Sequence, residues 1–141
     1  RLEAMTRAFG VAILVDGETD KRLRSMALRQ ETTSSGVQIP VSRLGDAEYY
    51  LRRVGRVIPY GMQVVSEISQ LVRLDDIPLD PLGKYISLLA DFEQGNWEQL
   101  EGALSCLAEM DPVARFLLKY ITERNSEPPR DFEGVIQLFS K

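Results

Sequence analysis

Histidine is absent from this chain. With it go the commonest general base, the Ser-His and Cys-His nucleophile pairs, and the commonest transition-metal ligand. The single cysteine, Cys106, has no second thiol to pair with, which points to a reducing, cytoplasmic compartment. No basic residue beside it would activate the thiol, and we read it as packing. Long apolar runs are missing as well. Val11 to Val15 is typical, against the roughly 20 residues of a membrane helix, so no span is expected. Neither G-x-G-x-x-G nor a GK[ST] ending occurs, so Gly36, Gly45, Gly55 and Gly61 are read as turns rather than a phosphate cradle. The chain starts at Arg1 without the basic, apolar and small-residue order of a signal peptide, and we expect it to be part of a longer protein.

What is present suffices for a sizeable core: 141 residues, 44% of them hydrophobic. Charge is distributed unevenly. Residues 1–75 hold eleven Lys/Arg against nine Asp/Glu, and residues 76–141 hold six against twelve. The acidic half would repel a phosphate backbone, so no nucleic-acid partner is expected and a protein partner suits it better.

Residues 76–141 read as helix. Asp80 before Pro81 marks a start, and Leu82, Tyr85, Ile86 and Leu89 line one face until Gly95. Asn96 with Gln99 forms a capping-box pattern ahead of Leu100, Ala103, Leu104 and Leu107. Asp111-Pro112 starts a third helix carrying Val113, Phe116, Leu117, Tyr120 and Ile121. A fourth, after Pro128-Pro129, would carry Phe132, Val135, Ile136 and Phe139. In residues 1–75, Phe9 to Val15 reads as a buried strand and Thr19 to Gln30 as a surface helix. Val37 to Val41 reads as an edge strand because of Pro40. Asp46 is placed as the cap of a helix with Ala47, Tyr50, Leu51, Val54 and Ile58 on one face. Met62 to Leu74 fits helix or strand, and we take it as helix. The expected architecture is therefore mainly α, with α+β as the alternative. It would be a four-helix half at 76–141 packed on an N-terminal region, 1–75, with one or two short strands, as two regions or a single domain.

Candidate sites follow from this layout. Arg52, Arg53 and Arg56, clustered on the expected helix, offer guanidinium forks to an anion; the competing reading is a solvated helix face. Asp75, Asp76 and Asp80 match no cation-binding loop and are read as capping and solvation, with no metal and no cofactor expected. Asp16, Glu18 and Asp20 lie at a strand end without a second catalytic group, and a turn with a helix start accounts for them. Trp97 at a helix start either covers the core edge or anchors a partner, with Glu98, Glu101 and Glu109 as its charged rim. We take the anchor as the working expectation.

The line from Ile77-Pro78 and Pro81, through Asp111-Pro112 and Leu117-Leu118, to Asn125-Ser126 and Val135 to Phe139 resembles the opening helices of HDOD domains, the HD-related output domains of bacterial signalling proteins. Phe92 to Trp97 is similar to a segment of proteins that join an EAL-type domain to an HDOD domain. The resemblance covers residues 76–141 and implies a non-catalytic helical regulatory module that binds proteins. The first half resembles the strand-helix openings of 2H phosphoesterases but lacks their His-x-Thr/Ser motifs. The leading expectation is thus a protein-interaction or regulatory domain of bacterial signal transduction. The alternative is a small phosphoester- or nucleotide-acting enzyme with an anion site on the N-terminal half.

Overall fold

Ala47–Ile58, expected as a helix, is the longest strand of the molecule and the centre of its sheet. The computed structural model of the chain describes residues 2–138. In order, the elements are α1 (Leu2–Phe9), β1 (Leu14–Asp16), α2 (Gly17–Ser25), β2 (Arg29–Thr32), β3 (Gln38–Leu44), β4 (Ala47–Ile58), β5 (Ser66–Arg73), α3 (Leu79–Glu93), α4 (Leu100–Leu107), α5 (Pro112–Thr122) and β6 (Val135–Gln137). The chain is α+β, which corrects the mainly α expectation. The strands run β1-β5-β4-β3-β2 with antiparallel pairing, and β6 adds parallel to the end of β4.

The correction has a physical cause. β4 and β5 are covered on both faces, so apolar residues occupy successive positions and the period of two is hidden. Tyr50 joins Ile39, Val41 and Val72 on one face, while Leu51 joins Val15 and Leu71 on the other. Gly45 (φ +62°) and Asp46 form a two-residue hairpin turn between paired Leu44 and Ala47, so Asp46 caps nothing. Glycine at the first turn position is a hairpin signal that outranks a helix cap here. β3 lies where Val37–Val41 was expected, but inside the sheet. Its ladder to β4 stops at Val41, one residue before Pro40, which has no N–H to give.

The expected fourth helix is replaced by β6, and Phe139 lies outside the described residues. The expected strand at Phe9 to Val15 is divided between the end of α1 and β1. Gly10 (φ +69°) separates them in a Schellman closure, with Gly10 N–H on Arg7 O and Val11 N–H on Thr6 O. Gly95 ends α3 in the same way, as expected, through Gly95 N–H on Phe92 O and Asn96 N–H on Asp91 O. Asp111 caps α5 by accepting Val113 N–H at 3.0 Å. In contrast, Asn96 and Gln99 form no capping box, and α4 starts at Leu100 without a side-chain cap.

Both halves share the main core. Phe9, Val54, Val57 and Ile68 pack with Tyr85, Phe92, Leu104, Val113, Leu117 and Ile136. β3 and β6 border the same edge of β4, and among the described residues, positions 51–55 have no strand partner there. The buried Tyr85 of α3 donates its hydroxyl to Val54 O at 2.7 Å across this interval.

Asp80 lies inside α3 rather than at its cap. Its carboxylate accepts from Ser34 N–H at 2.9 Å and Ser34 Oγ at 2.6 Å, fastening the β2–β3 hairpin to the helix. At Gly83 a Cβ would stand 2.5 Å from Thr33 Cγ2. We expect Gly83→Ala to destabilise by roughly 1–3 kcal/mol in urea melts, despite alanine's better helix propensity. Thr33→Ser, which removes the clashing methyl, should recover part of the loss in a double-mutant cycle; a purely additive cycle would locate the effect elsewhere. The Ser34 bonds hold the Asp80 carboxyl below its ordinary 3.8. Their stabilisation is complete above that value and is lost as pH falls through the lower folded value. Stability curves of wild type and Asp80→Asn should therefore begin to approach one another only as pH falls below about 4, and meet below the lowered folded value.

Candidate functional site

Successive strand residues point to opposite faces, so placing Arg52 and Arg53 on a strand separates them. Arg52 is fully buried. Its Nη1 and Nη2 donate to the Asp111 carboxylate at 2.7 and 2.6 Å, its Nε donates to Gln70 Oε1 at 2.8 Å, and its guanidinium lies 4.6 Å from the centre of the Tyr85 ring. Arg53 is two-thirds buried and forks onto Glu93 at 2.8 and 2.6 Å, while its Nε reaches Glu67 at 3.0 Å. The Glu93 hydrogen bonds raise the Arg53 pKa further above its ordinary value. Arg56 donates Nη2 to Glu133 O and has Nε 3.9 Å from Glu93. The three arginines expected to bind an anion thus face acceptors of this chain and do not converge on an open site.

Trp97 is 1% exposed. Its Nε1 donates to Phe92 O at 3.0 Å, its ring stacks on Phe92 at 5.2 Å, and Phe132 meets it edge-on at 5.2 Å. A side chain this deep presents no surface to a partner, so its position corrects the anchor expectation. Glu98, Glu101 and Glu109 are exposed as expected. Glu101 also accepts from Ser126 Oγ at 2.9 Å and lies 3.4 Å from Thr122 Oγ1, tying α4 to the end of α5. Cys106 is exposed rather than packed. Glu101, Gly102, Ser105 and Cys106 recur at helical spacing on one exposed stripe of α4, with exposed Glu98 and Glu109 in the turns at its two ends and Met110 48% exposed beyond.

Two surface cavities stand out among the described residues. One, of about 420 Å³ between α2 and the sheet, mixes Asp20 and Glu67 with Lys21, Arg24 and Arg53. Its charges largely pair: Arg24 Nε bonds Asp20 Oδ2 at 2.7 Å, and Arg53 holds Glu67. The second, of about 520 Å³, lies between α1, α5 and the end of β6. Among the described residues, Arg7, Arg115, Lys119, Glu123 and Arg124 are the charged groups in its lining. Sequence reasoning missed it. The available signal was that Arg115, Lys119 and Arg124, half of the Lys/Arg of residues 76–141, fall within ten positions. Among the described residues no cluster of three or more His, Cys, Asp or Glu is placed to hold a metal ion, and no helix is long and apolar enough to cross a membrane. No protein-family model, curated protein or solved structure matches the chain.

Two stability measurements test these placements. Trp97→Ala should cost roughly 3–5 kcal/mol in chemical denaturation, and a loss below about 1 kcal/mol would contradict the core assignment. Arg52→Ala, which strands the Asp111 carboxylate, should cost about 3–5 kcal/mol, whereas Lys84→Ala on the exposed side of α3 should stay within about 0.5 kcal/mol of wild type.

Proposed function

We propose that this chain is a non-catalytic regulatory domain of bacterial signal transduction that binds a protein through the outer stripe of α4. The observation that carries the reading is the stripe itself. Gly102, Ser105 and Cys106 keep its centre flat, with nothing within 4 Å of a Cβ placed at Gly102, and Glu98, Glu101 and Glu109 surround them. Small central residues admit close approach, Met110 supplies apolar area, and the carboxylates favour a basic counter-surface. The stripe belongs to the half that holds twelve acidic residues against six basic ones. The placement in signalling rests on the resemblance of the stretch from Ile77-Pro78 to Asn125-Ser126 to HDOD helices; the last part of that resemblance, Val135 to Phe139, does not extend to the structure, where Val135–Gln137 is a strand. The commitment of Arg52, Arg53 and Arg56 to internal acceptors weakens the case for an enzyme acting through them.

The exposed Cys106 allows a direct test. A photo-crosslinker attached to its thiol should capture a discrete protein from bacterial extract. Glu98→Lys with Glu109→Lys should reduce the yield roughly tenfold while leaving the melting temperature unchanged. An unchanged yield from the double reversal would remove the acidic stripe from the interface, and the absence of any discrete product would overturn the reading.

A further inference from the structure

β2 ends the sheet, and among the described residues its outer side has no strand neighbour. Which of its backbone groups face outward follows from its ladder to β3. Thr33 N–H donates to Val37 O at 2.8 Å, and Gln30 lies opposite Pro40, which has no N–H to offer. Bonded and non-bonded positions alternate along an antiparallel pair, so Arg29, Glu31 and Thr33 bond inward to β3. The N–H and C=O of Gln30 and Thr32 therefore point to the open side. None of Arg29, Gln30, Glu31 and Thr32 is buried.

An open edge is a template for another strand, and sheets commonly guard it with proline, lysine or a covering element. β2 carries neither proline nor lysine, and its charges alternate in sign. That order is self-complementary. An antiparallel copy centred on Gln30 sets each Arg29 opposite Glu31 of the other chain, at non-bonded positions, where opposed side chains stand closest. Centring on Glu31 instead would join Gln30 to Thr32 but set Glu31 against Glu31, which opposes pairing. Arg29 gives Nε to Glu31 of its own strand at 2.7 Å and Nη2 to Glu48 at 3.0 Å, which leaves Nη1 for a carboxylate of the second copy. Apolar surface lies at the same corner: Met26 is 72% and Leu28 49% exposed, just before β2. In the register centred on Gln30 both come against the β2–β3 hairpin of the copy.

We propose that β2 pairs antiparallel with β2 of a second copy about a two-fold axis through Gln30, joining the sheets of two chains into one. Gln30 exchanges both backbone hydrogen bonds with Gln30 of the copy, and Arg29 and Glu31 form two symmetric ion pairs across the axis. Four residues a side bury less than the roughly 1,200 Å² of a standard interface, so the dimer is weak, with Kd on the order of 0.1 mM. The edge shares no residue with the α4 stripe, and the two surfaces can be tested separately.

Sedimentation velocity of the whole chain, from about 10 μM to about 1 mM, tests the pairing. The wild type should pass from monomer to dimer as concentration rises. Arg29→Glu and Glu31→Arg, each of which sets like charges opposite one another, should each weaken association about tenfold or more while circular dichroism shows a folded chain. Mixed in equal amounts, the two variants should form a heterodimer, because every opposed pair then joins opposite charges. The double variant Arg29→Glu with Glu31→Arg should dimerise with itself for the same reason. Gln30→Pro removes an outward N–H and no bond to β3, so it should abolish pairing and leave the sheet intact. Should a single variant unfold, the double variant and Gln30→Pro still decide. A wild type that stays monomeric throughout, a dimer that survives Gln30→Pro, or failure of the double variant to pair would each overturn the proposal.

Discussion

The ion pair between Arg52 and Asp111 holds the two halves of this molecule in one arrangement. Both side chains are fully buried, and the carboxylate that receives the guanidinium fork also caps α5 through Val113 N–H. One carboxylate thereby fixes where the central strand meets the helical layer and where the third helix of that layer begins. Gln70, directly opposite Arg52 on β5, takes the remaining Nε, so a slip of one residue between β4 and β5 would place Ser69 or Leu71 there instead. A buried pair of this kind gives little net stability over an apolar substitute, because desolvating two charges offsets most of their attraction. Its effect is on selectivity: alternative packings leave a charge in the core without a partner.

This interaction also shows why the sequence was only partly readable. Helix boundaries marked by local chemistry, Asp111-Pro112 and Gly95, were legible because cap and turn geometry depend on residues a few positions apart. β4 and β5 were not, since strands buried on both faces lose their alternation and Tyr50, Leu51 and Val54 happen to fit a helical spacing as well. β6 is three residues long and gains its identity from pairing with Arg56, Val57 and Ile58. Arg52 was legible as a special residue but not as a core one, because its partner lies 59 positions away. Trp97 reversed in the same way. Its burial depends on Phe132, which reaches it from a loop that the sequence suggested was helix.

Once the arginines of β4 are committed inward, the surface chemistry is set by α4 and α5, which pack against one another and carry opposite charge. Glu98, Glu101 and Glu109 stand exposed on α4 and in the turns at its ends, while Arg115 and Lys119 stand exposed on α5. Charges this exposed add little to folding, and salt screens them beyond roughly a nanometre.

The unpartnered interval on β4 has a consequence for how the chain reaches its native state. β3 follows its neighbours by short turns and can pair early, whereas the far end of β4 must await β6, and Arg56 meets Glu133 across 77 positions. Contacts of such high order form late, because closing the intervening loop costs entropy before any pairing rewards it. Until then Val57 and Ile58 present a hydrophobic strand edge, the kind of template that recruits other chains into aggregates. In the native state the risk is removed by three residues near the end of the described chain, which act as a late-fitted cover for an edge made long before.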